Sequence, residues 1–496
     1  MLRAALLSVL LGGATPLSSQ STTTRTTART APPPTTPNII VLLVNDLGWQ
    51  DLSVPLYRDT TAANRRYRTP AIEELARTGV TFTDAYASAP VGSPTRVTLL
   101  TGRSPAVTRV TADLNTDAAL RAASPVEAPA LGAPAWNING LSATPKAARA
   151  YVGTSLPRLL RTAGYRTIHV GLTDWSRHGT DGADARTLGF DESVPGARRA
   201  DSLVSDAIRG MDAARAQRKP FFVVLAFDAV QLPATGDSVP VDERFLDDAR
   251  TRTTDARDAA YASRIAGVDR GVGDVLQYLS TNALTERTVV VLLSDNGGLA
   301  AHSRSGMRHL QNAPLSSGMG SAYEGGLRIP FFVRWPGVTR AGLRSSTPVI
   351  ADDLFPTLLR AARVSNIAAH TRDIAGQDLT GTLNNTAPLA RTRVLFWHAP
   401  HDAGYRGPGI EPFSAVRVDQ WKLIYFYSGS RYELYDLDRD LGESRDRSLS
   451  QPEVAHRLSE LLQHALRASN AQLPIDAAYG RPLALPGRLL VPPSLR

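Results

Sequence analysis

Two pairs of oxygen-bearing residues stand directly behind long apolar runs. Asn45 and Asp46 follow "NIIVLLV", and Asp295 and Asn296 follow "TVVVLLS". Carboxylate and amide oxygens are the ligands of hard cations, Ca²⁺ or Mg²⁺. Asp, Asn and Gly also populate turns and helix caps, so either pair alone has a local explanation. Their shared position behind two long apolar runs makes them a candidate metal site. A third stretch, "SAPVGSPTRVTLLTGR" from Ser88 to Arg103, adds an anion seat. Ser93 reads as an N-cap, Pro94 as the first helical residue and Gly102 as the stop. Residue 92 then lies just ahead of a helix N-terminus. Unpaired N–H groups and the helix dipole favour a sulfate, a phosphate or a developing oxyanion there. Arg96, one turn in, offers a planar fork of donors to the same anion. The plainer reading of these residues is a capped helix with no ligand.

Residues so far apart in sequence need a frame that brings them together. Continuous apolar runs at Asn38 to Val44, Thr167 to Leu172, Pro220 to Phe227 and Thr288 to Ser294 read as strands buried on both faces. They alternate with helical patterns, "TPAIEELARTG" and the long stretch Asp258 to Ser280 among them. The fold class is therefore α/β, a doubly wound sheet, in which ligands bind beyond the carboxyl ends of the strands. From about Pro388 the pattern changes to "RVLFWH", "FSAVRVDQWKLIYF" and "RYELYDL", a small antiparallel sheet closed by the amphipathic helix "PEVAHRLSELLQHALRAS". The expected organisation is an α/β domain over 38–387, a smaller α+β domain over 388–480 and a tail over 481–496.

The chain has 496 residues, 43% hydrophobic and 20% charged, which suits one large globular domain and a smaller one. Arg3, an apolar run and then small residues make residues 1–20 a secretory leader, so the mature protein is expected outside the cytoplasm, secreted or periplasmic. Residues 21–37, a Ser/Thr/Pro-rich stretch, form a linker that cannot build a core. The absence of Cys excludes disulfides, zinc thiolates and any cysteine-derived nucleophile. The net charge of +9 comes with only three lysines, Lys146, Lys219 and Lys422, a bias better explained by genome composition than by function. A diffuse basic surface favours acidic glycans. No basic run or aromatic ladder supports nucleic-acid binding, and no segment reaches membrane-spanning length.

"PNIIVLLVNDLGWQDLS", "APVGSPTRVTLLTGR", "LLRTAGYRTIHVG", "KPFFVVLAF", "SDNGGLAAHS", "GSAYEGGLRIPFFVRWPG", "DLFPTLLRAARV" and "DQWKLIYFY" resemble, in order, the landmarks of the formylglycine-dependent sulfatases. The resemblance runs from about Asn38 to Leu466. It implies an alkaline-phosphatase-like α/β domain, a small C-terminal domain with a four-stranded antiparallel sheet, and a Ca²⁺-centred site for sulfate esters. The ligand class implied is a sulfated glycan or an aryl sulfate-like anion. In that family a Cys or Ser is oxidised to formylglycine, and its hydrated aldehyde attacks sulfur.

The same resemblance exposes departures. The nucleophile position is Gly92, which has no side chain to oxidise, so no formylglycine is expected. Leu172 stands where the family has a lysine, Asp174 and Gln231 where it has histidines, and Met319 where it has a second lysine. Arg96 is kept. Asp46, Asp295 and Asn296 match the implied metal ligands, while Asn45 replaces an aspartate, so a Ca²⁺ site weakened by one charge is expected. His178, Asp228, His302 and His309 read as surface or supporting residues rather than replacement acids. The leading expectation is a secreted sulfatase-like protein without turnover. One alternative is a hydrolase of sulfate or phosphate esters using Thr95, Ser93 or a metal-bound water. The other is a non-catalytic interaction module.

Overall fold

Alternation along one apolar strand sets the frame. In β1 (Asn38–Val44), Ile40, Leu42 and Val44 enter one core while Ile39, Val41 and Leu43 enter the other. A strand buried on both faces belongs in the middle of a parallel sheet. The computed structural model places it there. It describes residues 36–112, 131–132, 134, 153–173, 185–196, 199–228, 230, 240–299, 312–401 and 407–487. The expected leader, the expected linker up to residue 35, Asp174, His178, Gln231, His302 and His309 lie outside the described residues.

The other strands of the large sheet are β2 (Val80–Phe82), β3 (Arg166–Gly171), β4 (Glu192–Pro195), β5 (Phe221–Phe227), β6 (Thr288–Ser294), β7 (Phe331–Arg334) and β8 (Leu343–Ser345). Their order is β8-β2-β7-β6-β1-β5-β3-β4. β1 runs parallel to β5 and β6, whereas β7 runs antiparallel to β6 and β2, so the sheet is mixed. Helices α1 (Pro70–Thr78), α3 (Ala200–Ala216) and α4 (Ala256–Thr281) cover one face; α2 (Gly92–Thr101) and α5 (Leu354–Ala361) cover the other. Helices on both faces make the sheet doubly wound, as the alternating pattern predicts.

Helix ends largely follow their signals. Pro70 opens α1, and the Asp255 carboxylate caps α4 by accepting from the N–H groups of Arg257 and Asp258. The start of α2 departs from expectation. Its N-cap is Val91, extended at φ −138° and ψ 159°, with no side-chain cap, and Gly92 is already its first helical residue. Pro94 still falls in the first turn, where a missing N–H breaks no helical bond. All ten residues of α2 are buried, so tertiary packing rather than cap chemistry fixes where it begins. Gly102 ends it in the left-handed region at φ 69°, as expected of a helix-stop glycine.

The C-terminal part holds a four-stranded antiparallel sheet, β9 (Leu395–Ala399), β10 (Phe413–Val418), β11 (Trp421–Phe426) and β12 (Arg431–Asp436). Helix α6 (Pro452–Ala468) covers one face through Leu458, Leu462 and Leu466. The opposite face, with Trp397, Ile424 and Phe426, packs on Tyr86, Ala322 and Leu327 of the large domain. The Trp397 indole N–H donates to the Ala87 carbonyl at 2.9 Å. Close by, the Lys422 ammonium donates to Glu324 at 3.0 Å and to Glu443 at 2.9 Å, with all three side chains fully buried.

Candidate functional site

Strand register assembles the centre. Val44 pairs with Ser294 across β1 and β6, so the chain leaves both strands at the same level and sets Asn45 and Asp46 beside Asp295 and Asn296. All four are buried, none more than 4% exposed. Asp46 adopts φ 58°, a left-handed conformation that Asp tolerates better than most residues. Its N–H donates to Asp295 Oδ1 at 3.1 Å. The Asn296 amide N–H donates to Asp46 Oδ1 at 2.8 Å, and the Asn45 amide N–H donates to Asp46 Oδ2 at 2.9 Å. Asn296 Oδ1 is buried without a hydrogen-bond partner.

Helix α2 aims its N-terminus at this cluster. Arg96 is 2% exposed; its Nη2 donates to Asp295 Oδ2 at 2.5 Å and also to Asn45 Oδ1. Gly92 lies against the cluster too, for a β-carbon on it would stand 2.7 Å from Asp295 Oδ2 and 3.4 Å from Asn296 Oδ1. The residues expected to hold a metal, the arginine expected to meet an anion and the position implied for the nucleophile therefore converge. Ser93 is buried in the first turn of α2, and Thr95 Oγ1 accepts the Ala89 N–H at 3.2 Å, which ties the loop ahead of the helix to its first turn. That bond gives Thr95 a structural task.

The two apolar substitutions are seated nearby. Met319, 6% exposed, donates its N–H to the Gly298 carbonyl just beyond Asn296. The next N–H, of Gly320, bonds the Pro90 carbonyl at 2.8 Å, holding this segment against the loop before Gly92. Leu172, 7% exposed, leaves β3 into the core that also holds Val97 and Leu99 of α2. Neither side chain can offer a charge or a hydrogen bond to an anion. Asp228 follows β5 on the other side of Asn45, and its carbonyl accepts from Arg264 at 2.6 Å. Among the described residues, no group of three or more His, Asp or Glu side chains gathers as a metal site.

Two supporting residues escape a sequence reading. His169 sits inside β3 and is fully buried; burial drives its pKa down to about 3, so it is neutral. A carbonyl can only accept, so Nε2–H donates to the Leu172 carbonyl at 3.0 Å and Nδ1 accepts from the Ser193 hydroxyl at 3.1 Å. His169 thus fixes the turn that carries Leu172. The second is Asp51, whose Oδ2 accepts the Gly48 N–H at 2.7 Å and the Tyr261 hydroxyl at 2.5 Å. Burial pushes its pKa up to about 7 against the lowering effect of those bonds. The signal available for His169 was a polar ring inside an apolar strand; Asp51 gave none beyond its place in a polar turn.

Comparison with known proteins identifies the family and the fold. A family model described as Sulfatase matches residues 37–364, and one described as N-sulphoglucosamine sulphohydrolase, C-terminal, matches residues 320–472. A sulfatase of Formosa agariphila is 26% identical, over 88% of this chain and 89% of its own length. The N-acetylgalactosamine-6-sulfatase of Mus musculus is 28% identical, over 88% of this chain and 82% of its own. The crystal structure of Ps i-CgsB in complex with k-i-k-neocarrahexaose shares the fold, with a TM-score of 0.69 at 23% identity, over 88% of this chain and 93% of that one. Among the described residues no helix is long and apolar enough to cross a membrane. With paired Asn and Asp residues at two strand ends, a buried helix N-terminus facing them, an antiparallel C-terminal sheet and a family match over most of its length, the chain belongs to the sulfatase family of hydrolases.

Proposed function

We propose that this sulfatase-family chain has lost formylglycine-dependent turnover and binds a sulfated sugar without cleaving it. The observation that carries the reading is Gly92, the first residue of α2, which faces Asp295 and Asn296 with no side chain to oxidise. Leu172 and Met319 support it, because both are buried and apolar where the resemblance implies lysines. An attack on sulfur needs a nucleophile and groups that stabilise the developing charge, and one well-placed donor is typically worth about 3 kcal/mol. What remains for an anion is Arg96 and the N-terminus of α2. A sulfated sugar is favoured as ligand by the name of the Mus musculus relative and by the oligosaccharide held in the structural neighbour.

The test is a pair of measurements on the full chain. Sulfate release from an aryl sulfate and from a sulfated galactosamine oligosaccharide is expected to stay at the buffer rate. Calorimetry is expected to show saturable binding of that oligosaccharide and none of its desulfated form. Catalytic sulfate release by the unmodified protein would overturn the reading.

The leader over residues 1–20 extends the proposal to a protein exported from the cytoplasm. Mass spectrometry of native material should find the chain beginning about 14 to 20 residues after Met1. An intact Met1 on cytosolic material would refute export.

A further inference from the structure

We propose that Asn45 has turned the metal seat into a self-satisfied hydrogen-bond cluster, so that this protein folds and is stable without a divalent cation. Each of the four carboxylate oxygens of Asp46 and Asp295 already accepts a donor from the chain. Asp46 Oδ1 takes the Asn296 amide at 2.8 Å, and Asp46 Oδ2 takes the Asn45 amide at 2.9 Å. Asp295 Oδ1 takes the Asp46 N–H at 3.1 Å, and Asp295 Oδ2 takes Arg96 at 2.5 Å. The Asn45 amide oxygen is committed as well, to the Arg96 guanidinium.

A hard cation asks for something different. Ca²⁺ takes six to eight oxygens, and its affinity rises with the charge of its ligands. Here the Asp295 carboxylate is already paired with a buried guanidinium, and of the side-chain oxygens in these four residues only Asn296 Oδ1 lacks a hydrogen bond. The residues as arranged do not fit the Ca²⁺ that the family resemblance implies. The chemistry of residue 45 explains why. An aspartate there could not donate to Asp46, and would press a third carboxylate on two others in a buried site, where only an added cation relieves the repulsion. An asparagine donates to Asp46 with its nitrogen and accepts from Arg96 with its oxygen. The amide nitrogen thus replaces a repulsive contact with Asp46 by a hydrogen bond, while the oxygen keeps the bond from Arg96 that a carboxylate would also accept.

Melting of the full-length chain provides the test, with readouts that need no substrate. In chelator, in millimolar Ca²⁺ and in millimolar Mg²⁺ the wild-type Tm is expected to agree within about 1 °C. Elemental analysis after dialysis against Ca²⁺ should find far less than one bound ion per chain. Asn45→Asp is expected to melt lower in chelator and to recover by several degrees on adding Ca²⁺. A saturable rise of the wild-type Tm with Ca²⁺, or a stoichiometric retained ion, would overturn the proposal even if the variant fails to fold. An Asn45→Asp protein that folds and ignores Ca²⁺ would overturn the role assigned to Asn45.

Discussion

Gly92 turns toward Asp295 the side on which any other residue would carry its β-carbon, and that carbon would lie 2.7 Å from Asp295 Oδ2. The carboxylate cannot simply step aside, because Oδ2 holds Arg96 and Oδ1 holds the Asp46 N–H. Gly92 opens α2 and is not among the positive-φ glycines, so Gly92→Ala would otherwise stabilise the helix by at most about 0.5–1 kcal/mol, the value for a helix interior. Here it is expected to lose about 1–3 kcal/mol through displacement of the buried pair. Urea unfolding decides the sign; a stabilised variant would mean that Asp295 moves at no cost.

Restoring the nucleophile should not restore an enzyme. Gly92→Cys, co-expressed with a formylglycine-generating enzyme, would supply the attacking group, but the transferring sulfate would still face Leu172 and Met319. Aryl sulfate hydrolysis by this variant is expected to stay near background. Adding Leu172→Lys, Asp174→His, Gln231→His and Met319→Lys together should raise the rate, by less than the product of separate gains of roughly 10²–10³ each, because such groups act as a unit. Robust turnover by Gly92→Cys alone would show that another group supplies the charge.

Asp51 predicts a pH dependence of stability. Its folded pKa of about 7 lies above the usual 3.8 because burial outweighs the bonds from Tyr261, Tyr67 and Gly48, with Asp258 adding repulsion. The folded state therefore holds a proton that the unfolded chain releases. Its stabilising contribution is complete below pH 3.8 and is lost as pH rises to about 7, amounting to at most about 4 kcal/mol. Asp51→Asn, which mimics the protonated acid, should flatten unfolding curves measured between pH 5 and 8. An unchanged slope would locate the dependence elsewhere.

Lys422 joins the small sheet to the large domain through Glu324 and holds Glu443 of its own domain as well, and neither carboxylate has access to water. Lys422→Ala would leave Glu324 and Glu443 buried without their shared ammonium. A loss of about 3–5 kcal/mol is expected on breaking such a pair. Glu443→Gln should cost less, since Glu324 keeps both Lys422 and Arg328. Equal losses from the two substitutions would contradict the arrangement.

Strand ends were the most legible feature of the sequence. Apolar runs ending in Asn45–Asp46 and in Asp295–Asn296 announce both the parallel pairing of β1 with β6 and the meeting of four residues, because register in a buried sheet leaves little freedom. The start of α2 was less legible, since Ser93 and Pro94 imitate a cap whose place packing assigns to Val91. The bonding of Asn45 could not be read at all. Whether its amide relieves or merely weakens a charge cluster depends on which atoms face Arg96 and Asp46, and residue order carries no such information. Lys422 was equally hidden, its partners lying 98 and 21 positions away.

The long closure between β1 and β6 also governs how the protein comes into being. Bonds that complete the centre span 249 and 250 positions, from Asp46 to Asp295 and Asn296. At 5–20 residues per second, a ribosome needs roughly 12–50 s between making the first pair and the second. During that interval β1, a seven-residue apolar strand, lacks its β6 partner and presents the kind of edge on which nascent chains associate. Chaperone dependence during synthesis should therefore concentrate on the N-terminal half, and should end once Thr288–Ser294 has left the exit tunnel.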